Sequence, residues 1–128
     1  MKLSEQQFKE AVQYLLESQE KLTTKVTKTT VNEADALKID FFKDKEKIGT
    51  ASVCPFKGEK TSFIYNVEVL KEFRGKGYGT KIMNYMIKNY GVKYLHVDKD
   101  NEIAFNLYKK LGFKIIKTFP NTFRMELK

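Results

Sequence analysis

Hydrophobic positions change period several times along the chain. Phe8, Val12, Leu15 and Leu16, with Gln19 continuing the row, recur at helical spacing, which predicts a helix packed on one apolar side. Ser4 and Gln7 stand three apart as a capping box, and Leu3 and Phe8 flank it as a hydrophobic staple, so the helix should start here. From Thr23 onward β-branched residues take over. "TTKVTKTTV", "ALKIDFF", "KIGTASVC" and "TSFIYNVEVL", separated by "KDKE" and "PFKGEK", predict four strands in antiparallel succession. Helical period returns over residues 80–90, where Ile82, Met83, Met86, Ile87 and Tyr90 share a stripe and Gly91 stops the helix.

"KYLHVD" then reads as a strand, and Asn101 to Leu111 as a second helix. Asn101 is its N-cap, Ala104, Leu107, Tyr108 and Leu111 form its inner side, and Gly112 ends it. "FKIIKTF", a turn at Pro120-Asn121 and "TFRMELK" make a closing hairpin. Repeats, low-complexity tracts and linkers are absent from the sequence. One domain spanning residues 1–128 is expected, of mixed α/β (α+β) class.

Composition adjusts this picture only slightly. Hydrophobic residues at 41%, with 10 Phe and 7 Tyr, suffice for a core, and 31% charged residues leave a solvated surface. The opening residues lack the basic and apolar regions of a signal peptide, and no run reaches transmembrane length, so a cytoplasmic protein without a membrane partner is expected. Cys54 is the single cysteine, which excludes an internal disulfide and a cysteine-based zinc cluster; no metal is expected. Its plain reading is a small residue ending a strand before Pro55.

A formal charge of +8 favours anionic partners: nucleic acid, a phosphorylated cofactor or an acidic protein surface. Lysines are scattered rather than gathered into a stripe, and no nucleic-acid motif accompanies them, which disfavours nucleic acid. The stretch "FRGKGYGTKIMNYMIKNYG" offers a more specific anion site. A strand running into a glycine-rich loop and then a helix brings free backbone N–H groups and the positive helix end together, and Arg74 and Lys76 add charge there. Gly75, Gly77 and Gly79 are spaced by two, which fits neither the P-loop nor the dinucleotide fingerprint.

Arg74, Gly77 and Gly79 do satisfy [RQ]-x-x-G-x-[GA], and "LHVDKDNEIAFNLYKKLGF" follows L-x-V-x-x-x-N-x-x-A-x-x-L-Y-x-x-x-G-F at every fixed position. With these two motifs in this order, the chain resembles the GNAT superfamily of acetyl-CoA-dependent N-acyltransferases. The likeness is close over residues 61–119 and holds only in outline before them. It implies a twisted, mixed and mostly antiparallel sheet of six to seven strands flanked by helices, here with a helix ahead of the first strand. It also implies acetyl-CoA as co-substrate, and acetyl transfer to a primary amine by direct attack in a ternary complex. The acceptor would be a protein N-terminus, a lysine or a small-molecule amine. A CoA-binding module without transfer is the alternative of another class, and a basic nucleic-acid-binding domain a more distant one. The closing hairpin is placed to extend a neighbour's sheet, which leaves room for a homodimer.

By the resemblance, the backbone of Val67, Glu68 and Val69 meets the pantetheine amides, and Arg74, Gly75, Lys76, Gly77, Tyr78, Gly79 and Thr80 hold the pyrophosphate. Asn101 steadies the pantetheine arm, and Tyr108, seven residues on and on the same side of its helix, protonates the departing thiolate. A backbone N–H, that of Val69, would face the oxyanion. His96, the only histidine, should point opposite to Leu95 and Val97 and is the candidate base; Glu68 and Asp98 could act instead through water. The plainer readings are a solvated charge for Arg74, a simple cap for Asn101, a core aromatic for Tyr108 and a hydrogen-bonded histidine for His96.

Two departures stand out. Some members place a catalytic Tyr or Glu two residues before the position of Tyr65; here that residue is Phe63, which cannot move protons. Most members also insert two helices between their first two strands, where this chain has only Asn32-Glu33-Ala34. Either the acceptor wall is shortened, left open or completed by a second subunit, or "TTKVTKTTV" is an irregular segment instead of a strand.

Overall fold

The computed structural model describes residues 4–18, 22–31, 33–55 and 62–128, the side chains of 12–18 excepted. Three helices, α1 (Glu5–Ser18), α2 (Tyr78–Tyr90) and α3 (Glu102–Lys110), accompany seven strands. The strands are β1 (Thr23–Val31), β2 (Ala34–Lys43), β3 (Glu46–Pro55), β4 (Ser62–Val69), β5 (Val92–Asp98), β6 (Phe113–Thr118) and β7 (Thr122–Leu127). They form one sheet in the order β1-β2-β3-β4-β5-β7-β6. β4 and β5 are parallel and every other neighbouring pair is antiparallel. The mixed, mostly antiparallel sheet with a leading helix is the architecture the sequence motifs implied.

β1 and β2 are paired without a break from Thr23↔Phe42 to Val31↔Ala34, so the chain turns directly from one to the other and no helices intervene. Glu33, in that turn, has φ of 67°, a left-handed conformation uncommon for a residue with a side chain. β1 is an edge strand, rich in threonine and mostly exposed, and its polar surface discourages further pairing.

Helices α2 and α3 lie on the same face of the sheet: a Cβ on Gly79 of α2 would stand 3.2 Å from Leu107 of α3. Beneath them a core of Ile39, Phe41, Ile48, Val53, Leu95 and Met125 joins Ile82, Met83 and Met86 of α2 with Tyr108 of α3. Each of these side chains removes roughly 1.5–3 kcal/mol worth of apolar surface from water. α2 starts at Tyr78, two residues ahead of the expected stretch 80–90, because Gly77 takes a left-handed conformation that caps it.

At the first helix the capping box forms as expected: Gln7 N–H donates to Ser4 Oγ at 3.1 Å and Ser4 N–H to Gln7 Oε1 at 3.0 Å. The apolar side is not sealed at its start, since Phe8 is 61% exposed. Leu3 of the staple, Gln19 and the side chains of Val12, Leu15 and Leu16 lie outside the described residues. Cys54 is half-buried and its Sγ–H donates to the Asp35 carbonyl at 3.4 Å, so it does more than fill space. Among the described residues no helix is long and apolar enough to cross a membrane.

Candidate active site

β4 and β5 part company. Their parallel pairing covers Ser62↔Val92, Phe63↔Tyr94 and Ile64↔Leu95, and then stops although the strands run on to Val69 and Asp98. The cause lies in β4. On its other side Ser52 faces Tyr65 but Thr50 faces Glu68, so β4 holds one residue more than β3 over this stretch. Asn66 takes up the excess with φ of 51°, and such a bulge bends its strand. The bend opens a cavity of about 270 Å³ between the two strands.

The cavity passes through the sheet. Ile64, Leu95, Ala104 and Tyr108 line it from the helix side, and Tyr65, His96 and Asp98 from the opposite face. Leu70 N–H donates to Ile48 O at 2.8 Å, so by strand alternation Glu68 also turns its backbone toward β3 while Val67 and Val69 turn theirs toward the gap. Val67 lines the cavity and Val69 does not. Val69 O accepts from Arg74 Nε at 2.8 Å.

Beyond Val69 the chain makes a short 3-10 turn over Lys71–Phe73, then the glycine loop, then α2. Gly75 and Gly77 have φ of 77° and 84°, and a Cβ on either would meet nothing within 4 Å. Their need for glycine is therefore conformational, and the space over them is open. Lys81 N–H to Gly77 O opens the helical ladder at 3.2 Å, and no side chain caps the end. The N–H groups of Tyr78, Gly79 and Thr80 thus have no acceptor within the helix, and the positive end of the dipole points the same way. The Lys76 ammonium stands over Phe73 and that of Lys81 over Tyr78. Tyr78 is 6% exposed, so its side chain belongs to the core and only its backbone is available to a ligand.

Tyr108 is 7% exposed, packs edge-on against Phe113 at 6.0 Å, and burial raises its hydroxyl pKa above the ordinary 10. Asn101 caps α3, its Oδ1 accepting from Ala104 N–H at 3.2 Å, and it also lines the cavity. Cap and site residue coincide in one side chain.

His96 does point away from buried Leu95 and Val97, and its ring is exposed. It forms no hydrogen bond among the described residues; it rests edge-on against Phe63 at 5.0 Å and beside Phe119 at 5.6 Å. Desolvation by these neighbours, and secondarily the Arg124 guanidinium, lower its pKa below 6.5. Phe63, at the position where a proton carrier was sought, is the buried centre of an aromatic group with Tyr65 at 5.2 Å and Tyr94 at 5.9 Å.

The fold therefore brings Val67, His96, Asn101 and Tyr108 around one cavity and sets Arg74 to Thr80 at the end of β4 beside it. Two side chains near the cavity had no role in the sequence reading. Tyr65 lines it, and burial raises its hydroxyl pKa. Arg124 faces His96 across β5 and β7, a pairing between segments too distant in sequence for any local pattern to reveal. Among the described residues no cluster of three or more His, Cys, Asp or Glu could hold a metal ion.

A family model described as the acetyltransferase (GNAT) family matches residues 5–113. The chain is 29% identical over 110 residues to N-alpha-acetyltransferase 50 of Danio rerio, covering 78% of this chain and 64% of that protein. It is 38% identical over 64 residues to an N-alpha-acetyltransferase of Sulfurisphaera tokodaii, covering 45% of this chain and 38% of the other. The chain thus spans less than two-thirds of the length of these relatives. A Bacillus subtilis acetyltransferase crystallised with CoA superposes with a TM-score of 0.68 at 16% identity, over 84% of this chain and 99% of that one, a likeness of fold.

Proposed function

The chain belongs to the acetyltransferase (GNAT) family, and from that premise we propose that it transfers the acetyl group of acetyl-CoA to a primary amine within a ternary complex. The observation that carries this reading is the cavity through the parted strands, with Asn101 and Tyr108 on its helix side and Tyr65 and His96 on the opposite side. Two substrates can then meet from opposite faces of one sheet.

In this reading acetyl-CoA enters from the helix side. Its pyrophosphate lies on the loop from Arg74 to Thr80, where the uncapped N–H groups of Tyr78, Gly79 and Thr80 and the charges of Lys76 and Arg74 favour an anion. The pantetheine arm takes the place of the missing strand partner along Val67 and Val69, and Asn101 borders it. The thioester comes to rest where Val67 and Tyr108 approach the gap.

The amine arrives from the other face. Its nitrogen attacks the thioester carbonyl, the oxyanion is held by the Val67 N–H, the C–S bond breaks, the sulfur takes its proton from the Tyr108 hydroxyl, and the second proton shed by the nitrogen as it becomes an amide replaces the one Tyr108 has given. A raised pKa suits that role, because the hydroxyl stays protonated until the thiolate demands the proton. His96 takes the proton from the incoming ammonium directly or through water. Its lowered pKa keeps the ring neutral, and so able to accept, at neutral pH.

Protein N-termini are the acceptors to test first, since both relatives named above are N-alpha-acetyltransferases. Calorimetric titration of acetyl-CoA, with 3′-dephospho-CoA and ATP as controls, should show micromolar binding selective for acetyl-CoA. An absence of binding would remove the reading.

A further inference from the structure

On the acceptor side of the sheet lies a cation with no counter-ion among the described residues. Arg124, on β7, is paired in register with His96 of β5. Its guanidinium carbon lies 5.0 Å from the centre of the Phe63 ring and 5.6 Å from that of Tyr94. Its Nε is buried and has no hydrogen-bond partner among the described residues. A buried donor left unmatched is costly, the more so when charged, and the arrangement persists only where aromatic faces or a ligand offset it. The charge also acts on the cavity: it is felt at His96 and at Tyr65, both of which line the cavity on this face.

We propose that Arg124 is a specificity residue that receives a carboxylate carried by the acceptor close to its reactive amine, so that acidic acceptors are favoured over neutral or cationic ones. This rests on the acetyl-transfer reading of the same cavity. An acceptor entering beside His96 must bring its own charge past a fixed cation; a second ammonium is repelled there, and a carboxylate completes the guanidinium fork. The flat aromatic floor of Phe63 and Tyr94 holds that fork with little freedom to lose. The net charge of +8 acts in the same direction at longer range. An acidic peptide N-terminus and a free acidic amino acid present the same chemistry.

The test follows CoA release with peptides that differ only in their first residue, Glu, Gln or Lys, and in parallel with free glutamate and glutamine. The Glu peptide should exceed the Gln peptide by about tenfold in kcat/KM, the size of one charge-assisted contact, with Lys lowest. Arg124→Gln should bring the Glu to Gln ratio near one while acetyl-CoA affinity stays unchanged, and Arg124→Lys should restore part of the preference. A preference seen only with free glutamate would assign the carboxylate to a small molecule and uphold the inference. Equal turnover of Glu and Gln acceptors, or a preference that survives Arg124→Gln, overturns it and leaves acetyl transfer standing. Binding of acetyl-CoA with no CoA release from any acceptor overturns both.

Discussion

His96 and Arg124 face each other across the β5–β7 ladder, a titratable ring and a permanent cation side by side on the face of the sheet away from α2 and α3. The pairing makes a titration prediction. Partial desolvation by the flanking rings and, secondarily, the guanidinium disfavour the imidazolium, so the folded-state pKa lies below 6.5. His96 is the only histidine, so one imidazole resonance reports it without assignment. Its NMR midpoint should fall below 6.5 and move upward in Arg124→Gln, since one of the two disfavouring causes is then removed. Protonation of the unfolded chain begins first, so this group costs stability as pH drops through 6.5 and below. A midpoint at or above 6.5 would contradict the desolvated setting described for the ring.

Tyr108→Phe separates chemistry from binding. The ring remains, and its edge contact with Phe113 with it, while the hydroxyl proton is lost. Turnover should fall by about 10²-fold or more, the usual worth of a placed general acid, with acetyl-CoA affinity kept within about twofold. Equal losses in turnover and affinity would mean that the hydroxyl serves binding.

Gly77 tests the loop. A Cβ there would touch nothing within 4 Å, so Gly77→Ala should cost stability through its φ of 84° alone, about 1–2 kcal/mol. Gly77→Asn should cost less, because asparagine tolerates the left-handed region better than alanine. Thermal unfolding measures the first effect, and calorimetry with acetyl-CoA shows whether the free N–H groups of the following turn have moved.

Asn66 tests the bulge. Asn66→Gly accepts the φ of 51° and should leave both fold and acetyl-CoA binding intact. Asn66→Val resists it, and should either lower the melting temperature or draw β4 back toward regular pairing, in which case the gap narrows and affinity falls. Unchanged affinity in the valine variant would show that the parting of the strands does not depend on this residue.

Much of this was legible because it is local. The stripe of Ile82, Met83 and Met86, the caps at Asn101 and Gly91, and the glycine spacing each occupy a few consecutive turns of chain. The pairing of motifs around the loop then pointed to the family. What stayed hidden was long-range or conformational. β7 inserts between β5 and β6, so the register that puts Arg124 beside His96 depends on the whole sheet. Asn66 looks like any strand residue until its backbone is seen in the left-handed region. Phe8 misled in the opposite sense, because helical spacing reports amphipathicity and cannot guarantee that its apolar side is covered.

The direct return of β1 into β2 leaves no helix from that connection to cover the side of the sheet on which the acceptor is proposed to enter. If acetyl transfer takes place there, no helix from that connection has to move before an acceptor enters, and a long peptide tail should be served as readily as a short one. In that reading the same openness would admit water to the thioester. Slow release of CoA in the absence of any amine is the signature such a face would leave.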